Sequence, residues 1–229
     1  MPGEGRVLAA PCRGIVFDLD GTLVDGYAGI AVGVNAARRA FGLDALAEDD
    51  VKRRVGHGLL HLMADVVGTE HAAEGAAIFH RVYGQVCADR ALPIAGADST
   101  LPVLRDRGFR MSVASNKPVL YSQRILDQLG LARYFTTVEG PETAGAVKPD
   151  PAMIRACLAS MDVSAPVAAY VGDMTIDVES GRRAGVRVLL VATGSSSKDE
   201  LLATGVPVLG SFPELLEALP NTASPKEAS

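Results

Sequence analysis

Ile15-Val16-Phe17-Asp18-Leu19-Asp20-Gly21-Thr22-Leu23-Val24-Asp25 decides how this chain is read. A short apolar run delivers two acids, Asp18 and Asp20, into a Gly-Thr turn. Alternate residues of a strand point the same way, so the two side chains share a side. The run predicts a buried strand ending at Phe17, and strand ends are where an α/β sheet presents groups to ligands. Two carboxylates set together in such a cleft repel unless a cation or a shared proton intervenes. They form a metal site, an acid/base pair, or both.

Beyond this run, short β-rich segments recur at 110–114, 134–138, 167–171 and 186–191. Helical patterns follow them at 119–129, 151–160, 175–184 and 198–203, and a short strand (206–209) and helix (212–219) close the series. Strand and helix alternation predicts an α/β fold: a Rossmann-like, mostly parallel sheet with helices on both faces. The interval 25–93 departs from that rhythm. It carries four helical patterns (27–41, 47–55, 59–67, 70–90) and no convincing strand. Leu59, Leu60, Met63, Val66 and Val67 recur at helical spacing. Four helices are too many for a crossover and predict an inserted all-helical cap domain. The expected division is a catalytic core at 1–24 and 94–229, a helical cap at 25–93, and a loose polar tail at 220–229.

Composition narrows the partners. The 229 residues include 22 Lys and Arg against 27 Asp and Glu, a formal charge of -5, with no basic stripe. Nucleic acid is therefore not an expected partner. No apolar run approaches the length of a membrane span, and residues 1–12 lack the apolar stretch of a secretory signal. Cys12, Cys87 and Cys157 have neither metal-site spacing nor an even number for disulfides. A cytoplasmic protein, monomeric or homodimeric, is the expectation.

Three further motifs carry polar groups at strand ends. In Ser115-Asn116-Lys117-Pro118 a hydroxyl and an amide precede a helix, an oxyanion site or an ordinary N-cap. Lys148-Pro149-Asp150-Pro151 offers a cation that by itself reads better as a solvated lysine, and its place after a strand end alters that reading once the carboxylates are counted. In Tyr170-Val171-Gly172-Asp173-Met174-Thr175-Ile176-Asp177, helix capping accounts for Asp177. It does not account for Asp173, an acid leaving so apolar a strand. If these residues converge, Asp18, Asp20, Asp173 and Asp177 contribute four negatives against one positive from Lys148, leaving -3. Such a cleft repels a phosphate dianion. One Mg²⁺ lowers the deficit to -1, and oxygen-only donors suit a hard cation better than zinc.

Together these motifs resemble the haloacid dehalogenase-like phosphohydrolase superfamily, and most nearly its phosphoglycolate phosphatase branch. The branch resemblance rests on residues 17–25, Arg54-Val55-Gly56-His57-Gly58, 115–118, 148–151 and 172–185. Gly26 stands where relatives often have Ser, a departure with little expected chemical consequence. The resemblance implies a Mg²⁺-dependent phosphatase acting on a small anionic phosphate ester, 2-phosphoglycolate foremost. Other sugar or nucleotide monophosphates are the alternative, and a sugar-phosphate mutase of the same fold is a further one. It implies Asp18 as nucleophile and Asp20 as general acid and base. Ser115 and Asn116 would bind the phosphoryl group, with Lys148 neutralising its charge. Mg²⁺ would sit on Asp18, the Asp20 backbone carbonyl and Asp173, with Asp177 behind or through water. Dehalogenation is set aside because Asp20 is present. Leaving-group specificity is expected from the cap residues Arg54, Gly56, His57 and Gly58, where side chains and amides could meet a substrate carboxylate.

Overall fold

A computed structural model describes residues 11–219. In chain order the first elements are β1 (Gly14–Phe17), β2 (Val24–Asp25), α1 (Tyr27–Ala40), α2 (Glu48–Lys52), α3 (Leu59–Val67), α4 (Ala72–Val86) and β3 (Leu92–Pro93). There follow α5 (Ala97–Asp106), β4 (Arg110–Ala114), α6 (Val119–Gln128), β5 (Val138–Glu139), α7 (Pro141–Ala144) and α8 (Ala152–Met161). The chain continues through β6 (Ala168–Gly172), α9 (Thr175–Ala184), β7 (Arg187–Val191), α10 (Lys198–Ala203), β8 (Val208–Leu209) and α11 (Leu215–Ala218). The anticipated tail, 220–229, lies outside the described residues.

Six strands form one parallel sheet in the order β5-β4-β1-β6-β7-β8. All four residues of β1 are buried, as a strand covered on both faces requires. Ile15 and Phe17 belong to one apolar cluster and Val16 to another, so the pleat sends alternate side chains to opposite helical layers. The Phe17 ring stacks on Phe212 at 5.8 Å and meets the edge of Phe135 at 6.1 Å. Met153, Ile154 and Cys157 of α8 cover the other face beside Val16 and Tyr170. The chain runs from β1 to β4 and β5 on one side, then returns to β6, β7 and β8 on the other. The strand order therefore reverses at β1, opening a crevice at its carboxyl end. All three cysteines are free and buried.

Helices α1 to α4 are inserted between β2 and β3, which pair antiparallel with Val24 opposite Pro93 and Asp25 opposite Leu92. This two-stranded link corrects the expectation of a strand-free interval: two residues on each side are too few to leave a period-2 signal. The segment expected as a strand at 134–138 also differs. A 3-10 turn occupies Ala132–Tyr134, and β5 begins only at Val138. Tyr134 is buried and Phe135 partly so, packing into the core from a turn, and apolar content alone does not separate that role from a strand.

Within the insertion, α1 and α4 pack so closely that a Cβ on Gly33 would lie 2.7 Å from the Phe79 ring. Phe79 in turn stacks on Tyr83 at 4.8 Å. Gly33→Val is expected to destabilise the fold by about 1–3 kcal/mol through overpacking, read by urea unfolding. Adding Phe79→Leu should restore part of that loss. If the two losses simply add, the contact does not limit the approach of these helices.

Candidate active site

Three neighbouring parallel strands aim at one point. Phe17 of β1 is in register with Val113 of β4 and Val171 of β6. Asp18, Ser115 and Asp173 therefore leave adjacent strand ends together. The Asp18 amide donates to the Val171 carbonyl at 2.9 Å and the Ser115 amide to the Glu139 carbonyl at 3.1 Å. Asp18, Ser115, Lys148, Asp173 and Asp177 are all buried.

Each carboxylate has its own set of partners. Lys148 Nζ lies 2.7 Å from Asp18 Oδ1 and 2.9 Å from Asp177 Oδ1. Asp177 Oδ2 accepts the amides of Asp173 (3.1 Å) and Met174 (3.0 Å), capping the start of α9. Its other oxygen accepts from the Tyr170 hydroxyl at 3.2 Å. Asp177 thus caps the helix and belongs to the charged cluster at once. Asp173 accepts from the Thr22 hydroxyl at 2.9 Å and the Ser195 amide at 3.0 Å, both neutral donors. Gly21 makes room for it: φ is +84°, and a Cβ there would fall 2.5 Å from Asp173 Oδ2.

Burial first, then the charges of Asp177 and Asp18, push the Asp173 carboxyl well above the usual carboxylate range. Burial raises Asp177 as well, against the pull of Lys148. Burial alone would lower the Lys148 ammonium, but Asp177 and Asp18 outweigh it and hold the group charged. One oxygen from each of Asp18, Asp173 and Asp177 lies within 4.8 Å of the others. A crowded, oxygen-only set with one member served by neutral donors suits a hard divalent cation. The donor chemistry fits magnesium.

Asp20 is turned differently. Its Oδ2 is 2.8 Å from Lys117 Nζ, and Oδ1 is buried without a hydrogen-bond partner. Burial raises the Asp20 carboxyl, with Lys117 opposing. The space Oδ1 occupies is the space Gly26 leaves empty, since a Cβ at that position would lie 2.7 Å away. A side chain at position 26 would thus meet the Asp20 carboxylate where it now stands.

Lys117 and Tyr83 are the site residues that sequence reasoning missed. Lys117 sits inside the quoted 115–118 motif, where attention fell on the hydroxyl and amide beside it. Its position one residue before a proline at a helix start was the available signal. Tyr83 gave none, because it arrives from α4. With Lys117 counted, the four carboxylates face two ammoniums, a net of -2. One divalent cation then brings the cluster to neutrality.

The loop anticipated for specificity divides. Gly56 and Gly58 line the cavity above these groups, with Val55, Leu59, Tyr83 and Tyr121. The Asn116 side chain donates to the Gly56 carbonyl at 2.8 Å and accepts the Lys148 amide at 2.7 Å, tying that loop to the sheet end. Arg54 and His57 are not among the cavity-lining residues. Arg54 pairs with Asp65 at 2.8 Å and donates to the Asp50 carbonyl at 2.6 Å. His57 is exposed, its ring 5.2 Å from that of His61.

Residues 15–191 match the family described as haloacid dehalogenase-like hydrolase. The chain is 33% identical over 182 residues to a phosphoglycolate phosphatase of Aquifex aeolicus, covering 80% of this chain and 85% of the relative. It is 34% identical over 214 residues to a phosphoglycolate phosphatase of Rhodospirillum rubrum, covering 89% of each. The crystal structure of a predicted phosphatase from Clostridium acetobutylicum is similar at a TM-score of 0.82 and 25% identity, covering 90% of this chain and 97% of that one.

Carboxyls raised by folding make the metal-free protein more stable at low pH. That stability is lost as pH climbs from the unfolded carboxylate range, about 4, through the raised folded values. Magnesium at 100 times its dissociation constant should stabilise the protein by about 2.7 kcal/mol, or roughly 5–11 °C in Tm at this size. Asp173→Asn should melt no lower than the metal-free wild type at pH 7.5 and lose the magnesium shift. An undiminished shift in that variant would remove Asp173 from the cation site.

Proposed function

The chain belongs to the haloacid dehalogenase-like hydrolase family, and on that premise we propose that it is a phosphatase that hydrolyses a small phosphate monoester, 2-phosphoglycolate foremost, through an aspartyl-phosphate intermediate. The observation that carries the reading is Asp18: a buried carboxylate at the switch point of the sheet, paired with Lys148 and crowded by Asp173 and Asp177. An Asp18 oxygen attacks phosphorus while the ester oxygen departs, leaving the phosphoryl group on Asp18. Asp20 gives its proton to the departing alkoxide, then takes one from the water that attacks the aspartyl-phosphate and frees inorganic phosphate. A carboxyl raised by burial suits both turns.

The Ser115 hydroxyl and the Asn116 backbone N–H hold phosphoryl oxygens, and Lys148 neutralises charge that grows on the group in flight. Asp18, the Asp20 carbonyl and Asp173, with Asp177 behind or through water, would hold magnesium, which would supply the remaining positive charge. The helical insertion, taken as a cap spanning 25–93, excludes bulk water from the acyl phosphate, with Gly26 and residues 93–96 as its hinges.

Cavity size supports a small leaving group. The space open to water centres is about 70 Å³, room for roughly five waters at 10–15 Å³ each. A two- or three-carbon ester fits a space of that size. The relatives described as phosphoglycolate phosphatases support the same substrate.

Assay of a phosphate-ester panel with magnesium, ranked by kcat/KM, tests the proposal, with 2-phosphoglycolate expected first. Asp18→Asn should lose at least ~10³-fold in kcat while keeping its fold. Asp20→Asn should lose about 10²–10⁴-fold on alkyl esters. On p-nitrophenyl phosphate, whose leaving group needs no proton, it should release one equivalent of nitrophenol and then stall. Full turnover by Asp18→Asn would refute the covalent route.

A further inference from the structure

The cavity has two cations in its lining, Lys148 and Lys117. Lys148 is committed to Asp18 and Asp177. Lys117 is only 9% exposed and its Nζ meets a single carboxylate, Asp20. It also contacts the Tyr83 hydroxyl and lies 4.6 Å from the centre of the Tyr83 ring. Tyr83 belongs to α4, so this ammonium stands where the inserted helices close over the sheet end. The neighbouring wall is apolar: Ile30, Leu59, Leu62 and Phe79.

The arrangement presents a conflict. Asp20 must face the ester oxygen to serve as general acid, yet Lys117 holds one of its oxygens and the other lies in the niche beside Gly26. Letting Asp20 go would leave a buried ammonium without a counter-charge, which is costly unless another anion takes its place. The water around Lys117 has already been removed by folding. Exchange of one carboxylate for another at that spot therefore carries no further desolvation of the ammonium, only that of the incoming group.

We propose that Lys117 is the specificity-determining residue for the leaving group: it binds a second anionic group of the substrate, a carboxylate within one or two carbons of the ester oxygen, and by accepting it releases Asp20 to face the reacting bond. The assignment rests on the phosphatase reading above. It places discrimination on a cation that reaches the cavity, in contrast to Arg54 and His57. It also makes the substrate's own charge a condition for catalysis. An uncharged ester loses in kcat as well as KM, because Asp20 stays paired.

The test compares 2-phosphoglycolate with 2-hydroxyethyl phosphate, an ester of equal length whose carboxylate is replaced by a hydroxymethyl group. With saturating magnesium, the wild type should favour the carboxylate ester by about 100-fold in kcat/KM, the scale of one charge-assisted hydrogen bond. Lys117→Met should reduce that ratio below about 5-fold, by a loss on the carboxylate ester together with a rise in kcat on the uncharged ester, whose Asp20 is no longer paired, and Lys117→Arg should keep at least ~10-fold. Glycolate should inhibit the wild type competitively where ethylene glycol does not, and Lys117→Met should lose that inhibition. Lys117→Gln serves as the second variant if the methionine form does not melt cooperatively. A ratio unchanged in a variant that still hydrolyses both esters overturns the role of Lys117 and leaves the phosphatase reading standing. Equal losses on both esters without rescue by arginine overturn it too. Failure of the wild type to hydrolyse either ester, while it turns over another ester of the panel, sinks the 2-phosphoglycolate reading and this assignment with it; failure on the whole panel sinks the phosphatase reading.

Discussion

Repulsion among four carboxylates gathered at one end of the sheet governs the rest of this structure. Neighbouring like charges about 4 Å apart cost roughly 4 kcal/mol at an effective dielectric of 20. The fold answers with two buried ammoniums, Lys148 and Lys117, each within hydrogen-bond distance of an acid. It also turns backbone amides toward Asp173 and Asp177. What remains is a deficit that a divalent cation can cancel. The pocket is stable enough to fold and unsatisfied enough to bind, which is the balance that a site for a phosphoryl group and a hard cation requires.

The parallel sheet is what makes that crowding possible. In a parallel sheet, adjacent strands end on the same side, so one edge collects residues distant in sequence. Strand β1 lies between β4 and β6, and its flanking registers carry Ser115 and Asp173 to either side of Asp18. The helical layers hold these strands rigidly through two separate apolar clusters. Positioning of the carboxylates is thus a consequence of packing in the layers above and below.

The inserted helices complete the chamber. They contribute the apolar wall, the Tyr83 hydroxyl and the glycine loop that Asn116 ties to the sheet end. The insertion shares a continuous buried cluster with β1, so Phe17, Met63 and Phe79 belong to one packed core. The His80 ring, 2.9 Å from the Tyr121 hydroxyl, adds a polar contact between α4 and α6. Access to the chamber and recognition of what enters it are for this reason coupled to the seating of α1 and α4.

Sequence alone determined the fold class, the inserted helices and the four acids with Lys148, because each of these is written in local pattern. Apolar runs of strand length, helical periodicity and acids that leave buried strands are visible within a window of ten residues. The two-residue strands β2 and β3 and the turn at 132–134 fell below that resolution. Only the tertiary structure decided which charges face one another. It paired Asp20 with Lys117, set Tyr83 against that lysine from 34 residues away, and sent Arg54 to Asp65. Long side chains choose partners by distance and dielectric in three dimensions, and a strand-end motif records where a side chain starts, never where its charge arrives.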